Sequence, residues 1–306
     1  MKAWKIFGML TICLLLSGTC DAELVGYWDF NENAGTIAHD KSDYHNDGTI
    51  DMLGTVWTEG KYGSALKFLN NSHAAVVVPD VNDSLDLASE FSIMAWIQIN
   101  GVTSSGFIIL SKHYPWSWWS YYLSVSASNF LTAFKFGAGY GHGLETQSLT
   151  APEQNVWIHV ACTYDGYKIK LYYNGVIDQE RYLYKAVNEQ TDGPFSIGGG
   201  VSGSEIEGHH FKGDIDEVRV YSHALTDEEV VIAMHSQGIN NGQSPVIVIE
   251  EEFVEADVNE EVILSVEDSY DPDGDLIFYR WTRLPENEVI CFSPRSNMLC
   301  KRHRQS

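Results

Sequence analysis

The chain has 306 residues, 44% of them apolar and 12% aromatic, with a formal net charge of −23. That apolar content supplies a packed core and excludes a globally disordered chain. The acidity excludes nucleic-acid binding through a basic surface, because phosphate affinity rests on clustered Lys and Arg. It suits an exported protein whose many carboxylates are largely solvated surface, with some available to hard cations.

The first 22 residues read as a secretory signal peptide. Lys2 and Lys5 precede the apolar run Ile6 to Leu16, and Ser17, Gly18 and Thr19 lead to a small-x-small cleavage site at Cys20-Asp21-Ala22. The run is too short to span a bilayer comfortably, and no second hydrophobic segment reaches membrane-spanning length. A lipoprotein signal with Cys20 as lipid acceptor is the alternative, and Thr19 fits that pattern poorly. The expected location is therefore extracellular, or the cell surface or periplasm of a bacterium.

From Glu23 onward, short alternating or apolar runs are separated by Gly, Asn and Asp clusters, the signature of β-strands and turns. The expected strands begin with Leu24–Phe30, Ala65–Phe68, Ala74–Val78, Phe91–Ile99, Phe107–Lys112 and Tyr121–Ser126. They continue with Leu131–Phe136, Trp157–Tyr164, Ile169–Tyr173, Val176–Tyr182, Phe195–Gly199 and Phe211–Tyr221. Asp165-Gly166 and Asn174-Gly175 mark hairpin turns, so Trp157 to Tyr182 is expected to form a three-stranded meander. One helix follows, opened by a capping box of Thr226 and Glu229, with Asp227 and Glu228 at its positive end and Gly238 closing it. Many strands, one helix and no αβ alternation predict an all-β, two-sheet antiparallel jelly-roll sandwich over residues 23–239.

Within the last strand, alternation puts Asp216 on one face with Val218 and Val220, opposite Ile215, Glu217, Arg219 and Tyr221. A carboxylate on an apolar face needs a metal, an Arg or several N–H donors. The aromatic burst His113 to Tyr122 suggests a second feature. Pro115 and the interspersed serines argue against one continuous strand, so Trp116, Trp118 and Trp119 are expected in a connecting loop, where aromatic faces suit stacking on sugar rings. The opposing expectation is that some of these tryptophans fold back over the sandwich edge. Tyr140 and His142, in the glycine-rich run Phe136 to Gly143, are candidates for the other wall of a groove; no Gly-Lys-Ser/Thr follows to make that run a P-loop.

Catalytic patterns are absent. No strand carries Glu-x-Asp-x-x-Glu, Asp214 and Asp216 share a face only on the final strand, and Glu205 and Glu207 fall in a Gly/Ser stretch that reads as a solvated loop. His209-His210 lacks the spacing of a zinc helix motif. The expectation is a non-catalytic module.

After Gly238, residues 240–245 read as a linker. Val246–Ile249, Val262–Val266 and Leu276–Trp281 read as further strands, with DPDGD at residues 271–275 as an Asx turn or a calcium-binding turn. Only 25 residues follow Trp281, too few to complete a seven-strand sandwich. The tail from Cys291 carries Arg295, Lys301, Arg302 and Arg304 and no acid, so a truncated or frame-shifted fragment of a longer protein is expected, with a disordered basic tail as the alternative. Cys162 is expected as a small core residue; Cys291 and Cys300 are a pair that an oxidising compartment permits.

Taken together, Gly26 to Glu32 (GYWDFNE), Asp40 to Thr49 (DKSDYHNDGT), Gly60 to Phe68, Phe91 to Trp96, Trp157 to Gly166, Tyr173 to Gly175 and above all Gly213 to Glu229 (GDIDEVRVYSHALTDEE) occur in one order. That order resembles the LamG-like jelly rolls of the concanavalin A-like lectin/glucanase superfamily across about 215 residues. Residues 246–306 resemble part of a PKD-like or Ig-like module. The first resemblance implies a secreted binding module for a glycan, holding a structural calcium ion at the sandwich rim. Asp40 and Asp216 are its implied side-chain ligands, Asn46 and Gly48 carbonyl or amide donors, and Asp43 a further ligand. The opposing expectation is that Asp40 and Asp216 accept backbone hydrogen bonds that fix the loop. The rival functions are an adhesive or structural module for an extracellular protein, and a fragment of a larger secreted glycan-active hydrolase.

Overall fold

The computed structural model describes residues 23–71, 73–79, 81–87, 89–101, 107–114, 117–128, 131–138, 146–182, 193–202, 205–236, 262–265, 279–283, 288–293 and 297–300. For residues 113–120, 127–138, 201–208 and those after 261, only the backbone is considered. The strands are β1 (Leu24–Trp28), β2 (Ile37–Ala38), β3 (Gly48–Ile50), β4 (Thr55–Glu59), β5 (Ser64–Leu69) and β6 (Val76–Val78). Then follow β7 (Phe91–Ile99), β8 (Phe107–Tyr114), β9 (Ser117–Ser128), β10 (Leu131–Ala138), β11 (Thr146–Gln147) and β12 (Trp157–Tyr164). The sandwich finishes with β13 (Lys168–Tyr173), β14 (Val176–Tyr182), β15 (Phe195–Ile197), β16 (Gly200–Ser202), β17 (Glu205–Gly208), β18 (Lys212–Tyr221) and helix α1 (Asp227–His235).

Two antiparallel sheets form the sandwich. The first runs β14-β13-β12-β7-β18-β5-β4, with β1 also on β18; the second runs β11-β10-β9-β8-β15-β6-β3-β2. Their facing sides bury one continuous core that includes Trp28, Phe68, Phe91, Ile97, Tyr121, Leu171 and Phe195. Trp28 stacks on Phe195 at 5.2 Å between ring centroids, joining the two sheets. The predicted meander is present: β12, β13 and β14 pair in sequence, and Asn174 and Gly175 both take positive φ, as a two-residue hairpin turn of the primed type requires.

The outer side of the first sheet is covered by α1, which packs Val230 and Ala233 against Met94, Ala161 and Tyr172. Its capping box forms as expected, with Glu229 N–H donating to Thr226 Oγ1 at 3.2 Å and Thr226 N–H to Glu229 Oε2 at 2.7 Å. Against the inner core, the segment carrying Leu85 and Leu87 is held by Tyr121 Oη, which donates to the Leu85 carbonyl, and by the fully buried Lys112, paired with Asp86 at 3.0 Å.

Beyond residue 261, β19 (Val262–Ser265) pairs with β22 (Asn297–Cys300), and β20 (Tyr279–Arg283) with β21 (Glu288–Ser293), as two separate antiparallel ladders. The expected strand Val246–Ile249 and the DPDGD turn lie outside the described residues.

Candidate functional site

The strand β18 is where chain topology and buried charge meet. On one side it pairs with β7; on the other it pairs with β5 as far as Ile215 and with β1 from Val218 onward. At this change of partner lies a bulge, with Glu217 in the left-handed region at φ 53°. The bulge corrects the alternation expected from sequence. Ile215, Val218 and Val220 all belong to the inner core, so Asp216 does not share the face of the two valines. One extra residue has reversed the phase of the strand.

Asp216 is wholly buried and holds the turn between β4 and β5. Its Oδ2 accepts Tyr62 N–H at 3.0 Å and its Oδ1 accepts Glu217 N–H at 2.9 Å. Burial pushes its carboxyl up to about 8, against the opposing pull of the Tyr62 N–H. Glu217, equally sequestered, accepts Tyr27 Oη–H at 2.9 Å and Arg219 Nη2–H at 2.8 Å through Oε2. The Arg219 guanidinium lies 4.3 Å from the Tyr27 ring centroid and also donates to the Ala233 carbonyl in the last turn of α1. Burial raises the Glu217 carboxyl, and the adjacent Arg219 opposes that rise.

The Asp40 loop is organised by its own carboxylate. Asp40 Oδ1 accepts the N–H groups of Tyr27 (2.7 Å) and Ser42 (2.9 Å); Oδ2 accepts Ser42 Oγ–H (2.7 Å) and Asn46 N–H (2.8 Å). Four donors fill the four acceptor sites of a carboxylate. Asn46 donates through Nδ2 to the Val25 carbonyl and Ser84 Oγ, and its own carbonyl accepts Trp28 Nε1–H. Its buried Oδ1 has no hydrogen-bond partner among the described residues. Gly48 lies within β3, where a Cβ would collide with Val76, and Asp43 is exposed.

Asp40 and Asp216 therefore have separate partners, and among the described residues no three His, Cys, Asp or Glu side chains group as metal ligands. Calcium needs six to eight converging oxygens, whereas this arrangement directs N–H and O–H donors at both carboxylates. The residues as placed do not fit a calcium cage.

Of the aromatic candidates, Trp116, Tyr140 and His142 lie outside the described residues. Trp118 and Trp119 fall within β9, not in a loop: the strand starts at Ser117, which pairs with Tyr114 of β8. Glu205 and Glu207 likewise sit in a strand, β17, paired with β16. Asp214, the other acid of the final strand, is engaged by Lys67 at 3.4 Å.

A cleft that the sequence reading missed opens at the edge of the sandwich. It holds about 460 Å³ and is lined by Asn31, Asn33, Thr58, Glu59, Gly63 and Ser64. Its walls are tied together. Asn31 Oδ1 accepts Ser64 N–H at 3.0 Å, Ser64 Oγ donates to the Phe30 carbonyl at 2.6 Å, and Trp57 Nε1 donates to the Gly35 carbonyl at 3.2 Å. Gly63, at φ +58°, is required here, because a Cβ would collide with Asn31 Oδ1. The available signal was the pair of short polar stretches, Asn31-Glu32-Asn33 and Thr58-Glu59, but nothing in one dimension brings them together.

A sequence profile of the concanavalin A-like lectin/glucanases superfamily matches residues 70–231, just over half of the chain. The chain belongs to this superfamily. Its lectin/glucanase-type sandwich is similar to domain 4 of AbnA, a GH43 extracellular arabinanase from Geobacillus stearothermophilus solved in complex with arabinotriose. The match has 21% identity and a TM-score of 0.53, over 70% of this chain and 98% of that domain. It is also similar to the binding domain of Paraclostridial Mosquitocidal Protein 1 (15% identity, TM-score 0.55), over 70% of this chain and 52% of the other. The receptor binding domain of botulinum neurotoxin C/D mosaic serotype aligns at 17% identity and a TM-score of 0.52, over 69% of this chain and 51% of the other. The superfamily sandwich thus spans nearly all of the arabinanase domain and about half of each toxin domain. At these identities the likeness is one of fold.

Proposed function

We propose that this chain is an exported, non-catalytic glycan-binding module. One observation carries the reading: its sandwich coincides in fold with almost the whole of an arabinanase domain that was solved holding arabinotriose. The buried acids of the final strand support the non-catalytic part. Asp214, Asp216 and Glu217 are engaged by Lys67, by backbone N–H groups and by Arg219 with Tyr27, and none is offered to a substrate as a nucleophile or acid. Export follows from the basic, apolar and small-residue order of the first 22 residues. Among the described residues, no helix is long and apolar enough to cross a membrane.

The aromatic segment is the proposed contact surface: Trp118 and Trp119 in β9, with Trp116, Tyr140 and His142 as further candidates from the sequence. Arabinan is the first polysaccharide to test, by pull-down of the full chain with Trp118→Ala and Trp119→Ala controls. Retention by the wild type and release of both variants is the expected result. Binding that survives both substitutions would remove the aromatic segment from the reading. A protein-ligand reading is favoured by the toxin binding domains of the same fold, and capture by protein receptors but not by any polysaccharide would establish it.

A further inference from the structure

We infer that the cleft between the Asn31–Asn33 loop and the β4–β5 hairpin is a second sugar subsite, selective for uncharged polyhydroxyl ligands. The inference rests on the glycan-binding reading and adds to it a place and a ligand class. Three properties of the cleft lead there.

The first is pre-organisation. The Asn31 amide is oriented by the Ser64 N–H that its oxygen accepts, so its Nδ2–H donors are left for a ligand. The Trp57–Gly35 bond pins the loop that forms one wall to the strand that forms the other. A cleft built this way pays little ordering entropy on binding.

The second is unspent polar capacity. Among the described residues, the side chains of Asn33, Thr58 and Glu59 make no hydrogen bond or ion pair, although each lines the cleft. Asn31 offers donors, Glu59 acceptors, and Thr58 and Asn33 both. Each sugar hydroxyl donates one hydrogen bond and accepts others, so a donor and an acceptor side by side match a vicinal diol. The volume of about 460 Å³ lies in the range of small-ligand sites.

The third is charge. Among the described residues, Glu59 is the one ionised group in the lining. Lys61, the nearest cation in sequence, has its ammonium 4.1 Å from the Trp96 ring centroid, and Trp96 belongs to the outer face covered by α1. With a net charge of −23 behind it, the cleft repels sulfated and uronic-acid glycans. The site is also distinct from the aromatic segment. Among the described residues, none of its lining comes from β8, β9 or β10.

The test is a titration of the full chain with neutral oligosaccharides (xylo-, cello-, galacto- and manno-series) and with oligogalacturonate and sulfated oligosaccharides. Side-chain amide resonances of Asn31 and Asn33 report occupancy. Neutral sugars are expected to shift those resonances, and Thr58→Ala/Glu59→Ala to weaken that binding at least tenfold with an unchanged melting temperature. Trp118→Ala should leave the shifts of Asn31 and Asn33 in place. Neutral-sugar binding that ignores Thr58→Ala/Glu59→Ala but is lost in Trp118→Ala would overturn the subsite and leave the module reading intact. Preferential shifts with the acidic sugars would overturn its selectivity. No shift of the Asn31 and Asn33 resonances with any neutral series would overturn the subsite, whereas the module reading falls only if arabinan and every other glycan also fail to bind the full chain.

Discussion

Replacing Arg219 with Met should be among the most damaging single substitutions in the sandwich. Arg219 is 2% exposed, its guanidinium is bonded to Glu217 and the Ala233 carbonyl, and it lies over the Tyr27 ring. Met fills comparable space but leaves the Glu217 carboxylate buried with only Tyr27 Oη–H, and leaves the Ala233 carbonyl unpaired on that side. Removing one partner of a buried pair costs about 3–5 kcal/mol, most of it the penalty of the stranded charge. For a sandwich of this size that corresponds to a fall in Tm of roughly 6–20 °C. Urea unfolding of Arg219→Met, Glu217→Gln and the double variant measures it. The double variant should recover at least about 2 kcal/mol relative to the sum of the singles, because no uncompensated charge remains. An Arg219→Met cost below about 1 kcal/mol, or strictly additive singles, would refute the argument.

Three further outcomes are expected. Thr226→Ala breaks the capping box of α1 and should cost about 1 kcal/mol, read by urea unfolding, with Thr226→Ser close to wild type. Chelation with EDTA should leave the Tm of the sandwich within about 1 °C, since Asp40 and Asp216 are satisfied by protein donors; a larger fall that Asp40→Asn abolishes would place an ion in the loop. The Asp216 carboxyl is raised from 3.8 to about 8, so its contribution to stability is full below the lower value and is lost as pH rises through the upper one. Wild-type Tm should therefore drop more between about pH 5 and about pH 8 than that of Asp216→Asn, and equal drops would count against the raised value.

Fold class was legible because it rests on local, repeated signals. Phe91–Ile99, Trp157–Tyr164 and Val176–Tyr182 were located to the residue, the first two by their β propensity and the third by the Asn174-Gly175 turn before it. The strands β2, β3 and β11 escaped, having two or three residues each, too few for any periodicity to show. The Asp40 loop was read first as a calcium loop, with backbone hydrogen bonding as the rival; the donors at its carboxylate come from Tyr27, Ser42 and Asn46, and only folding brings the first of these to it. The bulge at Glu217 was hidden for a different reason. Nothing in Ile215-Asp216-Glu217-Val218 announces an extra residue, yet that residue decides which side chains reach the core. The rim cleft was hidden because its two walls are separated by more than twenty residues of sequence.

The strand that changes partner has a consequence for how the protein is made. β18 is the last strand of the sandwich, yet it occupies the middle of its sheet, between β7 on one side and β5 and β1 on the other. Until it is synthesised, the β7 and β5 edges that it joins stand open, and β1 has no partner. On a ribosome adding about 5–20 residues per second, the roughly 150 residues from Leu69 to Lys212 take some seconds to appear. For that interval the nascent chain exposes unpaired β-edges. A chain with this topology gains from being kept unfolded until its final strand is available.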